Sequence, residues 1–169
     1  MREDLPDSAG PWATLPVADL IDHAEAKHHA TAKAELPAMA DALEAIAALH
    51  GHEHPEIVEV AKRFRTFAVE MMVHMRREEV ALFPAIVDPE RREDLDLRTS
   101  IRIMQCDHDE AKQILRRIRA LTEDYRPPPN ASVAFRGALE HLGRLDAALH
   151  EHIGFENDVL FPRALALAT

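Results

Sequence analysis

One pattern occurs twice in this chain. His74-x-x-x-Glu78-x-x-x-Leu82-Phe83-Pro84 reappears as His152-x-x-x-Glu156-x-x-x-Leu160-Phe161-Pro162. A second match precedes each copy, because His29-Ala30-Thr31-Ala32-Lys33 resembles His108-Asp109-Glu110-Ala111-Lys112. Self-similarity at a fixed spacing marks a repeated structural unit. Each half of the chain therefore reads as one helical hairpin, with a lone histidine on its first helix and a His-x-x-x-Glu pair on its second.

Prolines and polar clusters divide the chain to match. Four helical segments are expected, over about residues 16–50, 55–86, 94–125 and 131–165. Pro55 is well placed for a helix start, and Pro127-Pro128-Pro129 stops the third segment. Pro37 falls inside the first and predicts a kink near Glu35. No segment alternates apolar and polar residues with period two, and β-branched residues are scarce, so strands are not expected. The predicted fold is all-α, an up-down-up-down antiparallel four-helix bundle over residues 17–169, preceded by an N-terminal tail of residues 1–16.

Residues four apart on a helix share a face. His74 and Glu78 can point at one spot, and so can His152 and Glu156. His29 lies about as far before the first loop, near position 52, as His74 and Glu78 lie after it. His108 and His152 stand similarly about Pro128. The four helices therefore bring His29, His74, Glu78, His108, His152 and Glu156 into one layer. Two carboxylates and four imidazoles buried together are costly without a partner. Two cations bridged by the carboxylates resolve that, and mixed imidazole and carboxylate donors suit iron, manganese or zinc.

The remaining composition mainly excludes. The formal charge is -10, from 20 Lys+Arg against 30 Asp+Glu. Nucleic acid and anionic membranes need a positive patch, so neither is an expected partner. Arg91-Arg92 and Arg116-Arg117 read as solvated helix faces. Cys106 is the only cysteine, no stretch is apolar enough to span a bilayer, and the N-terminus lacks the order of a signal peptide. The expected location is the cytoplasm.

These motifs resemble the hemerythrin-like, or HHE cation-binding, domains, and among them most closely the repair-of-iron-centres di-iron proteins. The resemblance rests on His28-His29 with Glu35-Leu36-Pro37, His74-Met75-Arg76-Arg77-Glu78-Glu79, His108-Asp109-Glu110-Ala111, the triple-proline loop, and His152-Ile153-Gly154-Phe155-Glu156-Asn157 with Leu160-Phe161-Pro162. It spans about residues 17–167. It implies two iron ions (Fe2+/Fe3+) bridged by the two glutamates and an oxo or hydroxo group, with zinc or manganese as substitutes. Carried over, the metal ligands are His29, His74, Glu78, His108, His152 and Glu156. Glu70, one turn before His74, and Asp107, beside His108, match acids lining that site and would relay protons; the family has Glu at the second place, so Asp107 is a shortened version. The implied partners are O2, nitric oxide or peroxide, and iron–sulfur proteins in need of repair under nitrosative or oxidative stress. The chain itself is expected to be a monomer or homodimer.

Two departures shape the expectation. Oxygen-carrying hemerythrins have a further histidine where this chain has Lys112, and an Asp at the position of Asn157, so reversible oxygen carriage is not expected. The repair proteins commonly carry an N-terminal domain with adjacent cysteines, and the 16 residues before the first segment hold no such pair. An oxygen or metal sensor without catalysis is the alternative. His50, His52 and His54 in the first loop read as solvated, and His28 as surface. His23, His141 and His150 read as structural, Cys106 as a packed thiol. Met71, Met72, Met75 and Met104 read as core filling, or as the lining of a channel for a small gas.

Overall fold

The structure, a computed structural model, describes residues 12–93 and 95–167; most of the expected N-terminal tail lies outside them. Among the described residues there are four long helical rods and no strand. The first covers 17–50, the second 55–87, the third Leu97–Leu121 and the fourth 133–166, with a short helix Pro89–Glu93 between the second and third. The first packs on the second and fourth, the second on the third, and the third on the fourth, which closes a four-helix bundle. Among the described residues no helix is long and apolar enough to cross a membrane.

Three of the rods are not uniform. A π-helical turn interrupts the first at Ala24–His29, the second at Glu78–Leu82 and the fourth at Glu156–Leu160. In the latter two a proline follows six residues after the glutamate. Its ring collides with the carbonyl four residues earlier and it offers no N–H. The backbone answers by widening: the Phe83 N–H bonds to the Glu78 carbonyl and the Phe161 N–H to the Glu156 carbonyl, five residues back. Pro37, by contrast, lies within the α-helical stretch Ala30–His50 without ending it.

The third helix is shorter than expected at both ends. It starts after Asp96, whose carboxylate caps the Thr99 N–H at 3.1 Å. It stops at Leu121 because Glu123, Asp124 and Tyr125 all adopt positive φ, of 49°, 64° and 62°. Such residues cannot continue a right-handed helix. The turn is tied to the fourth helix by the Tyr125 hydroxyl, which donates to the buried Asp146 at 2.7 Å, and by Arg119, which pairs with the same carboxylate. Arg92 is not a solvated residue: its guanidinium donates to the carbonyls of Ala85, Ile86 and Leu167, joining the ends of the second and fourth helices.

Two apolar cores fill the bundle. The larger, around Leu43, Phe64, Phe67, Leu115 and Leu142, lies toward the first loop. The smaller, around Leu20, Ile86, Ile101, Phe155 and Leu160, lies toward the opposite end. A polar layer separates them.

Candidate metal centre

The separating layer consists of His29, His74, Glu78, His108, His152 and Glu156, all essentially without solvent exposure. The structure thus brings together all six residues expected from the sequence. Their donor atoms form two groups that share both carboxylates: His29, Glu78, His152 and Glu156 in one, His74, Glu78, His108 and Glu156 in the other. The carboxylates divide their oxygens accordingly. Glu78 Oε2 and Glu156 Oε1 stand 3.3 and 3.2 Å from His29 Nε2. Glu78 Oε1 stands 3.4 Å from His74 Nε2, and Glu156 Oε2 stands 3.1 Å from His108 Nε2. Each group takes one imidazole from each hairpin, so the repeats interlock rather than sit side by side.

The remaining imidazole nitrogens show what holds the rings. His29 Nδ1 lies 2.8 Å from Glu79, His74 Nδ1 3.3 Å from Asp107, and His108 Nδ1 3.0 Å from the Asn157 side-chain oxygen. An acceptor on Nδ1 fixes the tautomer and turns Nε2 inward. The orienting residues obey the repeat too, since Glu79 and Asn157 each follow a shared glutamate. Both lie outside the set expected from the sequence, although each follows a repeated glutamate, because the widened turn is what brings them to the histidines. Phe83 and Phe161, from the two Leu-Phe-Pro copies, stack on His29 and His108 with ring centroids 5.6 and 5.8 Å apart.

One position breaks this symmetry. His28 corresponds to Asp107, each preceding the lone histidine of its hairpin. It is buried, contrary to the surface placement expected, because it belongs to the π-helical turn Ala24–His29 and faces the fourth helix. It stacks flat on His152, 5.3 Å between centroids and 6° between planes, and His152 Nδ1 has no hydrogen-bond partner among the described residues. Burial, then the neighbouring His152 and Lys27, push His28 down to about 4.

The electrostatics are those of a site built for positive charge. Burial pulls the His29 imidazole down, but the Glu156 and Glu78 carboxylates outweigh it and raise it to about 10. His74 is raised for the same reason, with Glu78 opposing its burial. Burial would push Glu156 up, yet His152, His108 and His29 hold it well below the usual carboxylate range. Both Glu78 oxygens and Glu156 Oε2 are buried without a hydrogen bond among the described residues. Buried carboxylate oxygens left this way are rare and costly. Six residues, offering four imidazole nitrogens and four carboxylate oxygens in two four-residue groups, fit a pair of borderline divalent or trivalent cations.

Glu70 does not join this layer. It is exposed, lining a cleft of about 280 Å³ with His74, Arg77 and Asp107. Asp107 lies between the cleft and the site, since its carboxylate reaches both His74 and, at 3.3 Å, Arg77. His50 and His54 are not loosely solvated: they pack against Phe135 at 5.4 and 5.5 Å, and His50 also meets Ser132. His141 pairs with Glu35 at 3.1 Å and His150 with Asp146 at 3.0 Å, as structural histidines do. Cys106 is exposed rather than packed. Met71, Met75 and Met104 are buried in the two cores.

The hemerythrin HHE cation binding domain matches residues 20–164. The iron-sulfur cluster repair protein YtfE of Salmonella paratyphi B is 31% identical over 155 residues, which is 92% of this chain and 69% of that protein. The proteins of the same name from Salmonella newport and Salmonella heidelberg match to the same extent.

Proposed function

The chain belongs to the hemerythrin HHE cation-binding family, and from that premise we propose that it is a non-haem di-iron protein serving iron–sulfur cluster repair under nitrosative or oxidative stress. The observation that carries this is the pair of buried carboxylates shared between two sets of imidazoles, with three of their four oxygens making no hydrogen bond among the described residues. In this reading His29 and His152 would hold one iron, His74 and His108 the other, and Glu78 and Glu156 would offer an oxygen to each. Bound iron supplies one-electron redox chemistry toward O2, nitric oxide or peroxide.

The chain's own residues set the conditions. Glu79, Asp107 and Asn157 keep three imidazoles turned inward. Phe83, Phe161 and the two apolar cores exclude water from the layer. The cleft beside His74 is the polar approach to it. There Glu70 passes protons between solvent and Asp107, and Asp107 in turn holds the Nδ1 proton of His74.

Metal analysis and Mössbauer spectroscopy on freshly isolated protein test the metal. Two irons per chain in a coupled pair are expected, and Glu78→Ala or Glu156→Ala should lose at least one. Two full equivalents retained in both variants, or a colourless protein holding zinc, would overturn the reading. The repair role is tested by adding iron-loaded protein to a [4Fe–4S] dehydratase inactivated with nitric oxide. Recovery of its activity is expected, and recovery no better than with free ferrous iron counts against it.

A further inference from the structure

A chain of aromatic rings leads from the candidate metal centre to the rim of the bundle. His28 stacks on the ligand His152 at 5.3 Å, His23 meets His28 at 5.4 Å, and Trp12 meets His23 at 4.5 Å. Phe155 touches three of these rings, at 5.2 Å from Trp12, 5.0 Å from His23 and 5.5 Å from His28. Trp12 is the only tryptophan in the chain and is half-buried. Its segment is fastened to the fourth helix, for the Arg163 guanidinium donates to the carbonyls of Trp12, Ala13 and Leu15 at 3.0, 2.8 and 2.7 Å.

The departure from symmetry supports a role for this chain of rings. Where the second hairpin places a carboxylate on a ligand imidazole, the first places a ring flat against one. A stacked imidazole orients His152 less strictly than an acceptor on Nδ1 does. It gains continuity of π-systems from ligand to rim, and electron tunnelling decays with the gap between such systems. Indole is also the most easily oxidised ring in the cluster, since phenylalanine and neutral imidazole hold their electrons more tightly.

The geometry points to Trp12 as a redox residue that donates an electron to the metal centre through His23, His28 and His152. This rests on the di-iron reading above. Reduction of hydrogen peroxide needs two electrons, and a centre with one ferrous and one ferric ion has one to give. The Trp12 indole supplies the second, together with its N–H proton. One ferrous ion becomes ferric, the O–O bond breaks, and with the one proton that the indole releases to solvent one water and one hydroxide form, the hydroxide balancing the charge gained by the iron. The indole remains as a neutral radical. The second oxidising equivalent is thereby drawn away from the histidines that hold the iron.

The test uses the full chain, loaded with iron, poised with one ferrous and one ferric ion under anaerobic conditions, and treated with one equivalent of hydrogen peroxide. Freeze-quench EPR should show a tryptophan radical, absent in Trp12→Phe, and peptide mass spectrometry should find oxidation at residue 12. Tyr125, which no ring contact among the described residues joins to the site, should stay unmodified. His28→Leu with unchanged iron content should yield about tenfold less Trp12 oxidation, equivalent to roughly 1.4 kcal/mol on the transfer barrier. Zinc-loaded protein should yield as little. Equal oxidation of Trp12 in iron- and zinc-loaded protein, or iron bound with no radical and no Trp12 product, overturns the relay and leaves the metal site standing. A chain that takes up no iron overturns both readings, and metal analysis alone identifies that case.

Discussion

At the scale of single residues, the polar layer depends on side chains that lie outside its six members. Asp107 accepts from His74 and is steadied by Arg77. Removing such an orienting acceptor typically lowers metal affinity about 10- to 100-fold. Asp107→Ala should therefore still take up two equivalents in a calorimetric titration, with the group containing His74 weakened by about that factor. Two equally tight sites would show that Asp107 does not orient the ring. The six residues of the polar layer were legible in the sequence because the repeat and the helical period agree on them. Glu79 and Asn157 were not, although both follow the repeated glutamate. A residue next to a donor lies off the donor's face in a regular helix, and only the widened turn and the facing histidine make it an acceptor. His28 escaped for the same reason: regular helix geometry turns it away from the layer, and the π-helical turn Ala24–His29 buries it.

At the scale of elements, the notable devices are the π-helical turns, which are uncommon and recur at functional sites. The sequence announces two of them through Leu-Phe-Pro, a motif easily taken for a helix end. Pro162 is exposed, so replacing it by alanine leaves no cavity and restores a donor. Pro162→Ala should stabilise the metal-free bundle by about 1 kcal/mol, a fraction of the roughly 3 kcal/mol that separates the two residues in a helix interior. It should also let Glu156 rotate off the shared position and weaken metal binding. Melting curves and metal titration on one variant check both directions; a lowered melting temperature without metal contradicts the account. The turn after the third helix was hidden from the sequence, since nothing in Glu123-Asp124-Tyr125 signals positive φ. Its cause is distant: the Tyr125 ring lies over Gly143, where a Cβ would come within 3.1 Å, and its hydroxyl reaches Asp146. Asp146→Ala should cost about 1–3 kcal/mol in chemical denaturation while iron content stays the same, because this knot lies outside the polar layer.

At the scale of the molecule, the hairpins are joined by groups that each draw one imidazole from either half. Metal should therefore stabilise the whole bundle by linkage, as any ligand that binds only the folded state does. Its effect must depend on pH, because protons occupy the same nitrogens when metal is absent. The folded pKa of His29 is raised from 6.5 to about 10 by Glu156 and Glu78 against its burial. A histidine raised on folding contributes stability that is complete below its unfolded value and is lost as pH climbs through its folded one. The metal-free bundle should thus weaken between about pH 6.5 and 10, as protonated imidazoles that balance the two carboxylates are lost. Metal replaces that positive charge and expels the protons, so the loaded bundle should keep its stability over the same window. The gain in melting temperature on adding ferrous iron anaerobically should consequently grow with pH across that window. Matched scans of metal-free and loaded protein at three or four pH values measure it directly. A gain that is flat, or that shrinks as pH rises, would mean that the imidazoles do not hold the compensating charge and that the buried carboxylates are neutralised in some other way.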